Sequence, residues 1–177
     1  MRITDHFDSK EFACKCCNKY QINNKFVEHL EEFYIACDNI IGISSVIINS
    51  GFRCDNSSKT IKGAFIGDAH NLGFAADLHV YDRNYDLVDS TILCEIAEYL
   101  GFGGIAIITP TDIHLDDRHR SELNYSNSHW FGDERNGKNI ETFKGSSRLS
   151  KKISEYFSSA SSLPDTLTIN SIRYKKI

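Results

Sequence analysis

Residues 70–77 read His-Asn-Leu-Gly-Phe-Ala-Ala-Asp and run from a loop into a predicted strand at 74–81. His70 lies on the loop and Asp77 inside the strand, so their side chains can converge on one point. The glycine and alanines between them keep the chain slim enough for a close approach of backbone segments. The stretch therefore predicts a tight turn that brings a histidine and a carboxylate together.

A second polar pattern occupies residues 112–116, which read Asp-Ile-His-Leu-Asp. In a β-strand, successive side chains point to opposite faces of the sheet. A strand here therefore places Asp112, His114 and Asp116 on one face and the apolar residues between them on the other.

The two stretches together predict a metal site if their strands are neighbours in one sheet. His70, Asp77 and His114 then form a set of two histidines and one carboxylate. Three protein ligands with an open fourth position are how catalytic zinc is held, and a water bound there becomes a nucleophile near neutral pH. His79 shares the strand face of Asp77 and is a rival ligand or a supporting neighbour, although a structural or exposed role is the favoured interpretation.

Apolar periodicity along the chain predicts an α+β fold. A D-x-x-E pattern that begins at Asp8 is typical of a helix capping box, and the Ser-, Lys- and Gly-rich residues 54–68 predict a loop that rims the site. The order of elements favours a small, largely antiparallel sheet with flanking helices. The predicted helices are about 24–41, capped by Asn24, and about 90–100, capped by Asp89 or Ser90 and ended by Gly101; the predicted strands are 45–49, 74–81, 104–109 and 112–116.

The composition argues against several classes of protein. The chain has 177 residues, 41% hydrophobic and 25% charged, which is typical of a globular protein with a real core. No apolar run is long enough for a transmembrane helix, and the polar N-terminus predicts that no cleaved secretory signal is present. The net charge of −4 argues against nucleic-acid binding. We therefore expect synthesis in the cytoplasm, no membrane or nucleic-acid partner, and, by assumption, a monomer.

The charge is unevenly divided between two predicted parts of the chain. Residues 1–130 contain 11 Lys and Arg against 19 Asp and Glu, whereas residues 131–177 contain 9 against 5. The second part is therefore predicted to be a basic, Ser-rich C-terminal extension, with a flexible linker at 158–162. It is either a solvated extension or an appendage that binds an anionic surface such as the cell wall.

Six cysteines are present, and three of them crowd into Cys14-Lys15-Cys16-Cys17. Without a signal peptide they are expected to be reduced. Cys37 and Cys94 fall on apolar helical faces and are predicted to be small core residues. The cluster at 14–17, with Cys54, could hold a structural zinc ion or form disulfides after release from a cell, although the spacing of a zinc finger is not met.

These motifs resemble those of the zinc D-Ala-D-Ala carboxypeptidase family of peptidoglycan peptidases, which shares its fold with the hedgehog signalling domain. The family shows Ser-Gly-Tyr-Arg, S-x-H-x-x-G-x-A-x-D and H-x-D segments in this order, and three such motifs in register are fairly specific. The resemblance covers about residues 1–130. It is carried by Ser50-Gly51-Phe52-Arg53, residues 68–77, His114-Leu115-Asp116, His129-Trp130 and, as in phage-associated members, His6-Phe7, Glu11-Phe12 and Cys14.

The resemblance implies a role for each matching residue. His70, Asp77 and His114 would bind one catalytic zinc ion. Arg53 would grip a carboxylate or the scissile carbonyl of the substrate, a task that suits the planar guanidinium group.

Two positions depart from the family pattern. Many members carry an acidic catalytic base three residues before the last histidine ligand, where this chain has Thr111. Asp112 and Asp116 share the strand face of that histidine, so both are candidate catalytic bases, and Asp112 is favoured. The family's serine two residues before the first ligand is replaced here by Asp68.

The function implied by the resemblance is zinc-dependent hydrolysis of peptide bonds in peptidoglycan stem peptides, for cell-wall lysis or remodelling. Carboxypeptidase and endopeptidase cleavage both stay open, because the discriminating contacts lie in loops such as 54–68. The expected setting is a phage lysis enzyme or virion component that acts at the cell wall after release. The alternative is an inactive, metal-bearing module on the same fold that binds cell wall or protein. A third and weaker hypothesis makes the cysteine cluster a zinc or redox site and the rest a scaffold.

Overall fold

The computed structural model describes residues 1–119, 128–161, 168–169 and 172–173. As predicted, the fold is α+β and is built on a mostly antiparallel sheet, which has six strands. The strands are β1 (Ile43–Ser50), β2 (Ala75–Asp82), β3 (Gly104–Ile107), β4 (Asp112–Asp116), β5 (Trp130–Asp133) and β6 (Lys138–Asn139). The helices are a 3-10 helix (Ser9–Phe12), α1 (Asn24–Ile40), α2 (Asp55–Ser58), α3 (Ser90–Leu100) and α4 (Ser150–Ser161), and a separate hairpin consists of β7 (Thr168–Ile169) and β8 (Ile172–Arg173).

The strand order in the large sheet is β1-β2-β4-β3-β5-β6. All neighbouring pairs are antiparallel except β3 and β5, which run parallel. The strand that carries His114 therefore lies directly beside the strand that carries Asp77, which is the condition on which the predicted metal site depends.

The core lies between one face of the sheet and helices α1 and α3. In β4, Ile113 and Leu115 are fully buried in this core, as the alternation of residues 112–116 predicts. The ring of Phe102 packs nearly perpendicular to the rings of Phe26 and Phe33, with ring centroids 6.4 and 6.2 Å away. This packing turns the polar side chains of β4 toward the opposite face of the sheet.

The predicted helix caps and the predicted loop lie at or next to the expected residues. Asp8 forms the capping box of the first short helix, and Gly101 ends α3 in the left-handed conformation, with φ of +86°. The cap of α1 is Asn23 rather than Asn24, because the Asn23 side chain accepts a hydrogen bond from the N–H of Lys25. The predicted loop at 54–68 contains one short helix, α2.

Close backbone approach is visible at Gly73, as its sequence context predicts. Its φ is +80°, and a Cβ atom there would lie 2.9 Å from the carbonyl carbon of Gln21. The carbonyl oxygen of Gly73 also accepts a hydrogen bond from the N–H of Asn23, at 2.7 Å. A side chain at this position would push the start of α1 away from the turn that follows His70.

Residues 131–161 belong to the folded body. The boundary predicted at 130/131 falls inside β5, and Phe143 and Ile153 are buried in the main core. The buried Glu95 carboxylate of α3 accepts hydrogen bonds from the N–H groups of Gly145 and Ser147. The flexible linker predicted at 158–162 is corrected for 158–161, which form the last turn of α4, and residue 162 lies outside the described part of the chain.

Deletion of residues 131–177 is expected to unfold the protein rather than only weaken its binding to cell wall. The deletion removes Phe143 and Ile153, and burial of each such side chain is worth roughly 1.5–3 kcal/mol. The total stability of a domain is typically about 5–15 kcal/mol. Thermal melting followed by circular dichroism measures the loss.

The matched control is a chain that ends at residue 161, which keeps α4 and is expected to melt cooperatively like the full chain. Cooperative melting of the 1–130 chain near the full-length midpoint would contradict the assignment of residues 131–161 to the folded body.

No helix in the described ranges combines the length and the apolar character needed to cross a membrane.

Candidate metal centre

Three predicted ligands meet at one point on the face of the sheet opposite the helices. In the register of β2 and β4, Asp77 lies directly opposite His114, and the turn before β2 delivers His70. The Nε2 atom of His70 lies 3.2 Å from Asp77 Oδ1 and 3.1 Å from His114 Nδ1. His114 Nδ1 lies 2.9 Å from the same Asp77 oxygen. Two ring nitrogens and one carboxylate oxygen therefore form a compact triangle.

The tautomer of His70 is fixed by the backbone of the Ser-Gly-Phe-Arg segment. Its Nδ1 atom lies 2.7 Å from the carbonyl oxygen of Gly51. A carbonyl can only accept a hydrogen bond, so Nδ1 carries the proton and the neutral ring presents an unprotonated Nε2 to the triangle. The side chain is buried, which restricts the ring to this orientation.

In His114 the other ring nitrogen, Nε2, is the one that faces away from the triangle. Its Nε2 atom lies 3.0 Å from Asp116 Oδ2, so this nitrogen donates to the carboxylate and Nδ1 faces the triangle. Asp116 is fully buried and also accepts hydrogen bonds from the Arg118 side chain, at 2.6 Å for the shortest. The structure thus places Asp116 behind His114, in the position of a partner that orients a metal-bound histidine.

The donor set fits a zinc ion. Tetrahedral zinc with bonds of about 2.0–2.1 Å to nitrogen or oxygen separates its ligand atoms by about 3.3 Å. The observed separations of 2.9–3.2 Å require an opening of only a few tenths of an ångström. With both histidines neutral, three lone pairs face one another and repel, so the triangle holds either a proton or a metal ion.

The carboxylates at the triangle favour a positive charge there. Burial opposes a charge on His114, but its hydrogen bonds to Asp116 and Asp77 outweigh that cost and raise the pKa of His114 to about 9. Burial also opposes ionisation of Asp77, yet the two histidines hold the pKa of Asp77 well below its usual range. Without a metal ion the site keeps a proton on His114, and a metal ion must displace that proton.

Arg53 lies against the metal ligands. Its Nη2 atom donates a hydrogen bond to Asp77 Oδ2, and its Nε donates to Ser50 Oγ at 3.1 Å. The guanidinium group therefore holds the carboxylate oxygen that faces away from the triangle. Its predicted contact with substrate stays a prediction.

Asp112 belongs to a neighbouring polar cluster. One of its carboxylate oxygens accepts a hydrogen bond from Asn49 at 2.7 Å and lies 3.2 Å from His79 Nδ1, and the other accepts from the Thr109 hydroxyl. The Asp112 side chain is 25% exposed. Asp112 lies two residues before His114 on the same face of β4, roughly 7 Å away along the strand. Its action as a catalytic base stays a prediction.

The surroundings of the site include residues that the motifs did not single out as functional. Asn49 and Thr109 hold Asp112, and no motif or spacing identified either of them. The carbonyl of Gly51 fixes His70, and a backbone group gives no side-chain signal in a sequence. Asp68 is nearly buried and accepts a hydrogen bond from the N–H of Asn71 at 2.8 Å, which shapes the turn that carries His70.

A wall of the site is formed by Trp130. Its ring meets the ring of His114 edge-on at 6.1 Å, and the guanidinium carbon of Arg118 lies 5.0 Å from its centroid. Gly104 on β3 is needed beside this wall, because a Cβ atom there would overlap the carboxylate of Asp116. The buried carboxylate therefore depends on a glycine two strands away from Asp77.

Asp116→Asn is expected to weaken zinc binding by about 10–100-fold, the usual effect of altering a partner of a metal-bound histidine. Because zinc displaces a proton from His114, zinc affinity is expected to rise with pH up to about 9. The substitution removes a charge that raises this pKa, so the rise shifts to lower pH. Competition with a chromophoric chelator at a series of pH values measures both effects.

The matched control is Asp133→Asn. Asp133 accepts a hydrogen bond from Arg135 two residues later at 2.7 Å, as Asp116 does from Arg118, but it lies on β5 outside the ligand set. Equal losses of zinc affinity in the two variants would argue against a specific role for Asp116.

Comparison of the chain with protein-family models, with curated proteins and with solved structures gives no match. The resemblance to zinc D-Ala-D-Ala carboxypeptidases stays a prediction from the motifs quoted above.

Proposed function

We propose that the protein is a zinc-dependent peptidase that hydrolyses peptide bonds in peptidoglycan stem peptides. The observation that supports it is the triangle of His70 Nε2, His114 Nδ1 and Asp77 Oδ1. The outer ring nitrogens bond to the Gly51 carbonyl and to Asp116, so the inner ring nitrogens face one another and can bind a metal ion. Three such ligands leave a fourth position for water or substrate, as in catalytic zinc sites. The substrate class comes from the motif resemblance alone.

In the proposed reaction, the side chains of this chain have separate tasks. A zinc ion in the triangle would supply Lewis acidity and a coordinated water with a pKa near 7. Asp112 accepts the proton of the attacking water and passes it to the leaving amine. His79, 3.2 Å from Asp112, helps to orient that carboxylate. Arg53 keeps Asp77 in its ligating orientation through a charge-assisted hydrogen bond.

The loop before the site offers a surface for substrate recognition. Four large apolar side chains between residues 61 and 72 are 40–57% exposed. Exposed apolar side chains that lie together often mark a surface that a binding partner covers. This loop leads directly into the turn that carries His70. Contacts with these side chains would select the stem peptide and the bond that is cut; they are Ile61, Phe65, Ile66 and Leu72.

The second candidate is a metal-bearing module on the same fold that binds cell wall or protein without cleaving it. It is favoured by the hydrogen bonding of Asp112, whose two carboxylate oxygens are engaged by Asn49, His79 and Thr109. A base that is fully engaged in this way is a weaker proton acceptor. Thr111 at the family's usual acidic position points in the same direction.

Digestion of purified sacculi distinguishes the two candidates. Zinc-loaded protein is incubated with sacculi of several wall types, and the released material is identified by mass spectrometry. A peptidase is expected to release stem-peptide fragments whose ends identify the bond that was cut. Binding to sacculi without any release, with zinc in the triangle, would overturn the proposed hydrolysis in favour of the binding module.

A further inference from the structure

Three cysteines meet at a second place, next to the segment that carries Arg53. The Sγ atoms of Cys14, Cys17 and Cys54 all lie within 4.8 Å of one another. Cys16 lies in the same short loop, between Cys14 and Cys17. The sequence separation between Cys14 and Cys54 is 40 residues, so the fold, and not local spacing, assembles this cluster.

The backbone of the loop at 14–19 is arranged around the sulfur of Cys14. The N–H of Asn18 donates to the carbonyl of Cys14, and the N–H of Cys14 donates to the carbonyl of Lys19, both at 2.8 Å. The N–H of Cys54 donates a hydrogen bond to Cys14 Sγ at 3.5 Å. A donor of this kind stabilises a thiolate, which is the form that binds metal.

We propose that Cys14, Cys17 and Cys54 bind a structural zinc ion, with Cys16 as the fourth thiolate. Tetrahedral zinc with bonds of about 2.3 Å to sulfur separates its ligand atoms by about 3.8 Å, so a small contraction of the cluster forms the site. Four protein ligands close the coordination sphere, which is typical of structural rather than catalytic zinc. The inference does not depend on the proposed peptidase activity.

This ion would join the N-terminal segment to the metal centre. Cys54 directly follows Arg53, whose guanidinium group holds Asp77. The N–H of Phe52 already donates to the carbonyl of Phe12 at 2.9 Å, two residues before Cys14. Zinc bound to the four sulfurs would fix both sides of this contact and so hold Arg53 in place.

A disulfide is the competing outcome. It would join two of the four sulfurs and leave the others without a partner of comparable strength. The hydrogen bond from the N–H of Cys54 to Cys14 Sγ favours a thiolate, whereas a disulfide sulfur carries no charge for this donor to stabilise. We therefore favour zinc over a disulfide for this cluster.

The test counts metal ions in the full chain purified without added chelator. We expect about two zinc ions per chain in the wild type, and about one in either Cys17→Ser or His70→Ala. Replacement by Co²⁺ is expected to give the near-ultraviolet thiolate-to-cobalt absorption in wild type and in His70→Ala, but not in Cys17→Ser. Lys15→Ser, in the same loop, is the matched control and should keep both ions.

Cys16→Ser provides a second measurement if Cys17→Ser does not fold. Because Cys16 lies outside the cluster of three sulfurs, this variant is expected to keep the ion, unlike Cys17→Ser, and to lose about a quarter of the cobalt–thiolate intensity, in proportion to the thiolates removed. Wild-type protein that binds cobalt without the thiolate band would overturn the proposal. A disulfide between two of the four cysteines in native protein would overturn it as well. Neither outcome would affect the proposed peptidase, which is tested by release of peptides from sacculi.

Discussion

His70→Ala is expected to abolish peptide release from sacculi and to remove one zinc ion per chain. The substitution takes away one of three ligands, and the remaining two, Asp77 and His114, cannot hold zinc in a catalytic geometry. Metal content measured by mass spectrometry and peptide release are followed on the same preparation. Circular dichroism shows whether the variant is folded.

His6→Gln is the matched control for the loss of a histidine. His6 is partly exposed and its Nδ1 lies 2.6 Å from Glu31, away from the ligand triangle. It should keep the zinc content and activity of the wild type. If His70→Ala kept full activity while folded, the triangle could not be the catalytic centre.

Asp112→Asn is expected to lower turnover by about 10²–10⁴-fold, the usual contribution of a general base. Zinc content should not change, because Asp112 is not one of the triangle's ligands. The amide has nearly the same shape, and its single carbonyl oxygen can still accept the hydrogen bond from Asn49, while its NH2 group can donate to the Thr109 hydroxyl, so the fold is preserved. Steady-state hydrolysis of a soluble stem peptide measures the effect.

Asp86→Asn serves as the control for the removal of a carboxylate, since Asp86 is exposed in the turn after β2. Turnover of Asp112→Asn within a few fold of the wild type would exclude Asp112 as the base. Asp116→Asn would then need the same kinetic test, although its carboxylate lies behind His114 and bonds to Arg118.

The ligand set could be predicted from sequence because the alternation of polar and apolar residues along a strand shows which side chains share a face. Alternation in residues 112–116 places His114 on the face opposite the core, and the observed register sets Asp77 beside it. The register itself could not be predicted, because the long connection between β2 and β4 allows other pairings. The prediction therefore depended on the condition that the two strands are neighbours.

The roles of the surrounding residues could not be derived from spacing alone. Asp112 and Asp116 are equivalent in the alternation of β4, and both qualified as candidate bases. Only the structure separates them, because Asp116 is fully buried against His114 and Asp112 is partly exposed. The difference arises from Arg118 and Gly104, which give the Asp116 carboxylate its partner and its space.

The C-terminal part was the least predictable from sequence. Its basic, serine-rich composition is typical of an extension, and β5 is only four residues long. Its place in the sheet comes from a parallel pairing with β3 across a long connection. The backbone around the buried Phe143 is held by long-range hydrogen bonds to Glu98, which accepts from the N–H of Phe143, and to Glu95, which accepts from the N–H of Gly145. No local pattern in the sequence reveals these contacts.

The most direct test of the central claim is the return of activity when zinc is added to metal-free protein. Metal-free protein is titrated with zinc while soluble peptides released from sacculi are counted by mass spectrometry, with His70→Ala in parallel. We predict no release without metal, a rise to a plateau as the triangle of His70, Asp77 and His114 fills, and no release from the variant. Equal release from metal-free and zinc-loaded protein would contradict this prediction.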